Sequence, residues 1–298
     1  MTSLDDLPTT IRAIAERLAP SVVGIGRRRR GAGFVLADGV VATNAHNLRG
    51  DEVTVTFGDG RVEVGRLRGI DGDGDLAVIA VDTAGAPALD WADADGVTMG
   101  APVFGVGFTG GVPRVTFGLV SAVERSFRGP GGRRIEGSLE HTAPLAPGSS
   151  GGPLVDADGG LVGINTNRLG EAFYLALPAS PGLRDRLAAL GRGESVERPR
   201  LGVAVAPAFV ARRLRRSVGL PDRDGLLVRG VEEGSAAAAA GIRDGDLLVS
   251  AGGRELSSPD DLHAVLRDVG LPLELVVVRG TEERTVSAGG PSAAAGEA

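Results

Sequence analysis

Apolar runs in this chain are short, rich in valine, and repeatedly ended by a glycine or an Asp-Gly turn, which leaves room for little but hairpins. Val40-Val41-Ala42, Leu76 to Val81, Leu226-Leu227-Val228 and Leu247-Leu248-Val249 all follow this pattern. With 48 glycines among 298 residues and only 3% aromatic residues, backbone freedom supplies the turns and small branched side chains supply the cores. The expectation is a mostly β fold of roughly two or three compact units.

One glycine-rich stretch does not read as a simple turn. Pro147-Gly148-Ser149-Ser150-Gly151-Gly152-Pro153-Leu154-Val155 runs straight into an apolar strand and then a second turn, Asp156-Ala157-Asp158-Gly159-Gly160. A flexible linker rarely does so. Acyl transfer by serine needs an exposed Oγ beside backbone N–H donors, and glycines let the chain turn tightly enough to supply them. Ser150 is therefore the candidate nucleophile. It needs a base, and only three histidines exist. His46 ends the apolar run Val40 to Ala45, where a polar ring has no evident packing role. A third group that orients the base is suggested by Asp75, directly ahead of Leu76-Ala77-Val78-Ile79. Each residue alone has an ordinary reading, as filler or turn, but the order His, Asp, Ser is that of one established triad. His141 and His263 are not placed to act as base.

Composition closes other routes. The chain has no lysine, so all 32 basic residues are arginine, which removes a P-loop lysine, a Schiff-base lysine and a Ser-Lys dyad. The absence of cysteine removes thiol nucleophiles and the usual structural zinc ligands. No cofactor and no metal are expected, and any proteolysis is expected to run without ATP. Gly105 to Gly110 satisfies G-x-G-x-x-G, but Gly111, Pro113 and a β-like run follow where a helix would be needed. Asp71 to Asp75 begins like a calcium loop, yet Leu76 takes the place of the turn glycine and Asp82 that of the final glutamate. Arg27 to Arg30 is one basic tract in a chain of net charge −6, which argues against nucleic acid. No run is long enough to span a bilayer. Met1 to Pro8 carries acids where an export signal carries positive charge, so the expectation is a cytoplasmic protein.

Thr43-Asn44-Ala45-His46, Asp75-Leu76-Ala77-Val78 and Gly148-Ser149-Ser150-Gly151-Gly152-Pro153-Leu154 resemble the three catalytic blocks of the HtrA/Deg family of trypsin-like serine proteases. Ala19 to Ile25, Gly31 to Leu36 and Gly163-Ile164-Asn165-Thr166 are similar to further blocks of that family. The resemblance implies a chymotrypsin-like double β-barrel followed by a small α+β PDZ domain. The expected division is an N-terminal helical segment at 1–20, the protease at 21–180, a helix and linker at 181–198, the PDZ domain at 199–289 and a disordered tail at 290–298. It implies His46 as base, Asp75 as its orienting group, Ser150 as nucleophile, and an oxyanion hole on the backbone of Gly148, Ser149 and Ser150. Pro144 stands where trypsin-like pockets carry a carboxylate, and Leu145, Phe173 and Leu175 offer apolar walls, so cleavage after small or medium aliphatic residues of unfolded proteins is expected.

Gly234 to Ile242 and Asp244 to Val249 are similar to the PDZ signature of the same family. PDZ domains take a peptide C-terminus by β-augmentation. The resemblance makes Leu201-Gly202-Val203 the carboxylate loop and edge strand. Leu262, Val265 and Leu266 read equally as groove wall or as core. Phe209, Leu214 and Val218 mark the apolar stripe of a preceding helix. A homotrimer is the family's usual assembly, although residues 1–33 lack the aromatic residues that commonly pack there. Two alternatives stay open: a catalytically quiet chaperone or peptide-binding scaffold, and an esterase with the same serine chemistry.

Overall fold

In the computed structural model the valine-rich runs are strands, and most of those in the first half are buried on both sides. The structure describes residues 6–27, 31–92, 97–109, 111–129, 134–170, 172–195 and 200–289. The expected tail 290–298, most of the Arg27–Arg30 tract, part of the stretch between the barrels and most of the later linker lie outside these residues. The chain divides into two units, residues 1–197 and 198–298.

The first unit begins with helix α1 (Leu7–Leu18), which buries Ile14 and Leu18 and rests Leu7 and Ile11 on the same core, a helical spacing of apolar residues. Strands β1 (Val22–Ile25), β2 (Gly31–Ala37), β3 (Val40–Thr43), β4 (Glu52–Thr56), β5 (Val62–Asp71) and β6 (Leu76–Ala80) close into a barrel in the order β1-β2-β3-β6-β5-β4. Strands β7 (Pro102–Thr109), β8 (Val112–Arg128), β9 (Arg134–His141), β10 (Pro153–Val155), β11 (Leu161–Leu169) and β12 (Phe173–Pro178) close a second, in the order β10-β11-β12-β9-β8-β7. Helix α2 (Pro181–Gly191) follows, capped by the Ser180 hydroxyl accepting from the Leu183 N–H, and buries Leu183, Leu187 and Leu190.

Alternation explains why the strands read as unbroken apolar runs. Successive side chains point to opposite faces. Val41 and Ile79 fill the interior of the first barrel with Val23, Val55 and Phe57. Their neighbours Val40, Ala42, Leu76 and Val78 face outward, into a core shared with Phe104, Val106 and Phe108 of the second barrel. Val103 points the other way, into that barrel's own interior with Val120, Leu139 and Val162. At Gly24 a Cβ would fall inside contact distance of the Phe108 ring, 2.5 Å from its Cδ1, so only glycine lets β1 and β7 meet. Of the dinucleotide-like match, Gly105 to Thr109 is the end of β7, which pairs antiparallel with β8, and Gly110 lies outside the described residues.

His141 ends β9, fully buried and stacked on Tyr174 with ring centroids 5.8 Å apart. Its Nε2 lies 3.0 Å from Asn165 Oδ1. Asn165 Nδ2 already donates to the carbonyls of Gly152 and Pro153, so its oxygen must accept, and His141 carries its proton on Nε2. Nδ1 is buried and has no hydrogen-bond partner among the described residues.

The second unit is a sheet of β13 (Val203–Ala206), β14 (Leu226–Val231), β15 (Leu247–Ala251), β17 (Leu273–Arg279) and β18 (Glu282–Ala288), with β16 (Arg254–Glu255) paired to β15. Helices α3 (Ala208–Ser217), α4 (Ala236–Ala239) and α5 (Pro259–Val269) complete it. The stripe expected on α3 is inverted: Phe209 and Val218 are 68% and 70% exposed, while Ala208, Ala211 and Arg215 are buried. Small alanines let α3 sit close to Leu227, Leu247 and Val278, and the Arg215 guanidinium is satisfied by the carbonyls of Pro221 and Gly280. Asp246, 1% exposed ahead of β15, is held by Arg279 at 2.7 and 2.8 Å, by Arg284 at 3.4 Å and by the Arg243 N–H at 2.9 Å.

Two stability predictions follow from these buried polar groups. Burial lowers the His141 pKa from 6.5 to about 4, against the Asn165 hydrogen bond, which raises it. Above pH 6.5 the ring is neutral both folded and unfolded. Below it the unfolded chain takes up the proton first, so stability on the order of 3 kcal/mol is lost by pH 4. Calorimetric midpoints should fall through this window and fall less in His141→Gln. Replacing Asp246 by alanine leaves Arg279 and Arg284 only the Gly241 carbonyl and takes the acceptor from the Arg243 N–H, and should cost the second unit about 1 to 2 kcal/mol, read as faster hydrogen exchange in β15 and β17 than in the parent.

Candidate active site

The site is built where the first barrel's short turns face the second barrel's glycine loop. His46 lies on a single 3₁₀ turn, Ala45–Asn47, immediately after β3. Asn44 Nδ2 donates to the Asp75 carbonyl at 2.8 Å, which knits that turn to the segment ahead of β6. Asp75 adopts a left-handed backbone conformation, φ 56°, which Asp tolerates better than most residues. Its carboxylate is 1% exposed. Oδ1 accepts from the His46 backbone N–H at 3.1 Å, and both oxygens lie within 2.9 Å of His46 Nδ1. The Thr166 hydroxyl donates to Oδ2 at 2.7 Å from β11 of the other barrel. Because a carboxylate accepts, Nδ1 of His46 carries the proton and Nε2 keeps its lone pair.

Ser150 sits on a loop clamped from both barrels. Gly151 N–H donates to the Asn165 carbonyl at 2.7 Å, and Asn165 N–H to the Gly152 carbonyl at 2.9 Å. The Ser150 carbonyl accepts from the Ala32 N–H at 2.8 Å and from Asn47 Nδ2 at 2.9 Å. Its hydroxyl donates to the Thr166 carbonyl at 3.0 Å. Among the described residues no hydrogen bond joins Ser150 to His46. The structure thus brings His46 and Asp75 into direct contact and holds Ser150 one residue away, through Thr166.

Gly148 has φ 89°, a turn that favours glycine. Among the described residues the N–H groups of Gly148 and Ser150 donate to nothing. Ser149, expected with them in the oxyanion hole, instead directs its N–H to the Ala146 carbonyl at 3.2 Å, so the loop offers two free donors rather than three. Leu145 is half-buried and packs over Gly105, and Phe173 is 40% exposed at the start of β12. Leu175 corrects the expected pocket: it shares a face of β12 with Phe173, two residues before it, but lies further from the strand's exposed start and is 1% exposed in the core shared by the barrels.

In the second unit Leu201, Leu262, Val265 and Leu266 belong to the core, with Val203 and Val205 packed against it. Of the two readings of the α5 residues, the structure places them as core. Val203 lies on β13, whose one partner in the sheet is β14. Gly202, φ 77°, precedes it.

Thr166, Asn47, Asn165 and Asn44 carry much of this geometry without having been singled out for it from sequence. The available signal was a polar residue placed where an apolar run ends, as in Ile164-Asn165-Thr166. Which carbonyl or carboxylate such a residue meets depends on chain more than 90 positions away, as with Thr166 and Asp75.

Two family descriptions match, "Trypsin-like peptidase domain" over residues 31–164 and "PDZ domain" over residues 227–279. HhoA of Synechocystis sp., named as a serine protease, is 33% identical over 270 residues, covering 84% of this chain and 68% of that one. A DegP-like serine endoprotease of Halomonas elongata, named as periplasmic, is 32% identical over 273 residues, covering 88% of this chain. The match spans 56% of that longer relative. A solved structure described as the HtrA-type protease AlgW with a decapeptide superposes with a TM-score of 0.59 at 26% identity, covering 94% of this chain and 97% of that one. The cytoplasmic expectation is corrected here: it rests on the acids of residues 1–8 and on the lack of a long apolar run behind them, and a relative named as periplasmic points to export instead. With a trypsin-like peptidase domain and a PDZ domain in that order, and relatives alike across nearly its whole length, the chain belongs to the HtrA-type family of serine proteases.

Proposed function

We propose that this chain is a serine endopeptidase that cleaves unfolded proteins without ATP, with His46, Asp75 and Ser150 as its triad. The observation that carries the reading is the His46 to Asp75 contact at 2.8 Å, which fixes the imidazole tautomer with Nε2 free as a base. His46 Nε2 takes the Ser150 proton as Oγ attacks the peptide carbonyl. Asp75 stabilises the imidazolium so formed, which then protonates the leaving amine. The N–H groups of Gly148 and Ser150, free of internal partners, receive the oxyanion. Water then repeats the sequence on the acyl-enzyme.

For this to happen the Ser150 hydroxyl must turn from the Thr166 carbonyl to His46. A neutral hydrogen bond of this kind is worth about 1 kcal/mol net, so the exchange is a small step once a substrate occupies the cleft. The same bond is the one observation that favours a quiet peptide-binding scaffold, and activity separates the two readings. Pro144 and Leu145 support cleavage after small or medium aliphatic residues, since no carboxylate stands at position 144 to attract a cationic side chain. The second unit is proposed to hold peptide C-termini on the free edge of β13, with the loop at Gly202 receiving the carboxylate. The decapeptide named with the AlgW structure is consistent with peptide binding in such proteins.

Casein cleavage without ATP at about pH 8, where a histidine base is neutral, tests the reading directly. Ser150→Ala should lose roughly 10⁴-fold or more of the parent rate, and Asp75→Asn a similar factor through the wrong tautomer. A parent that binds unfolded chains as Ser150→Ala does, and cleaves no faster, would establish the scaffold instead. Thr166→Val keeps the carbonyl that holds Ser150 but removes the hydroxyl on Asp75. Its kcat/KM should drop about 10-fold, while Thr166→Ser stays near the parent value.

A further inference from the structure

Asn47, the residue after His46, is 3% exposed and reaches out of its own barrel. Its Nδ2 donates to the Ser150 carbonyl at 2.9 Å and to Thr43 Oγ1 at 3.0 Å. Thr43 Oγ1 donates in turn to the Ala32 carbonyl at 2.7 Å, and the Ala32 N–H donates to the Ser150 carbonyl at 2.8 Å. These four bonds close a ring through Asn47, Ser150, Ala32 and Thr43. Three members belong to the first barrel and one, the nucleophile, to the loop of the second. The orientation of the carboxamide follows from the ring itself. Thr43 has committed its hydrogen to Ala32, so both groups facing Asn47 accept, and an oxygen there would be repelled. Asn47 Oδ1 is accordingly the buried atom left without a partner.

Space has been cleared for this side chain. A Cβ at Gly31 would overlap the Asn47 carboxamide, and one at Gly151 would crowd Asn47 Nδ2, Thr43 Oγ1 and the Ala32 carbonyl together. Gly151 also stands at φ 87°. Two glycines, one on each barrel, thus frame one amide.

We propose that Asn47 is a positioning residue that sets the approach of Ser150 to His46 by binding the nucleophile's carbonyl across the barrel boundary. The inference rests on the protease reading above and adds a residue to it. His46 and Asn47 share a peptide bond, so the tie runs from the backbone of the base to the backbone of the nucleophile. A bond to the carbonyl of Ser150 limits rotation of its peptide plane and hence the range of positions open to Oγ. Reaction rates are sensitive to displacements of about 1 Å at this point, whereas substrate affinity is not.

The test uses the full chain with Asn47→Leu, close in shape but without donors, and Asn47→Ala. Peptide cleavage, labelling by a fluorophosphonate, thermal midpoint and hydrogen exchange are measured on each variant and on the parent. In Asn47→Leu, kcat and the labelling rate should fall roughly 10- to 100-fold with KM within about threefold. Exchange should rise at Ala32 and Gly151 while β4 and β5 stay protected. A kcat within about twofold of the parent in protein of equal folded fraction would overturn the proposal. So would a loss shared equally by kcat and by the folded fraction, since that marks a purely structural role. If the parent itself neither cleaves nor is labelled, the protease reading fails separately. Exchange at Ala32 and Gly151 then still decides the tie, and no change there in either variant would sink it.

Discussion

A single buried carboxylate, that of Asp75, requires the two barrels to meet. It draws its donors from both: the ring and backbone of His46 from the first, the hydroxyl of Thr166 from the second. A carboxylate 1% exposed and short of partners would be costly, so separating the barrels would cost both the shared apolar core and the solvation of this charge. The core explains why the barrels adhere. The carboxylate explains why they adhere in one register, since Thr166 has to arrive within hydrogen-bond reach.

Thr166 therefore has two tasks in one residue. Its side chain supports Asp75 and its carbonyl holds the Ser150 hydroxyl. The first bears on the proposed base, and the second occupies the proposed nucleophile. In the proposed mechanism the two are not in conflict, because moving Ser150 Oγ toward His46 leaves the bond from Thr166 to Asp75 intact. In that mechanism the Ser150 hydroxyl leaves the Thr166 carbonyl while the bonds that hold Asp75 stay in place.

The parts legible in sequence are those whose chemistry is local. Ser150 stands out because glycines and prolines on either side advertise a turn, and His46 because a polar ring ends an apolar run. The strands were legible from Val-rich runs and Asp-Gly turns, whereas the closing of those strands into two barrels came with the family resemblance. Residues that act through distant backbone were not. Asn47 and Thr166 look like any polar residue at a strand end until the fold brings carbonyls and a carboxylate to them. Leu175 is misplaced because it shares a face with Phe173, and the sequence does not show that β12 runs from an exposed start at Phe173 into the core within two residues. The α3 stripe misled for another reason: burial there favours the close approach that Ala208 and Ala211 permit, so the larger apolar residues were left outside.

The two most buried turn carboxylates among the described residues show how environment separates structure from chemistry. Asp75 and Asp246 each stand ahead of a strand, and each is 1% exposed. For Asp246 burial pushes the pKa up, but the Arg279 hydrogen bonds, the Arg243 N–H and the charges of Arg279 and Arg284 outweigh it and hold it low. Its charge is neutralised where it stands, and its field goes into fixing the sheet. Among the described residues Asp75 has no guanidinium partner; its donors are a hydroxyl, a backbone N–H and the His46 ring. No arginine or lysine is bonded to it among the described residues, and in the proposed mechanism the cation that meets it is the imidazolium formed on His46 when a proton leaves Ser150. Placing an arginine beside Asp75 would satisfy the carboxylate better and remove the reason for the histidine to accept that proton.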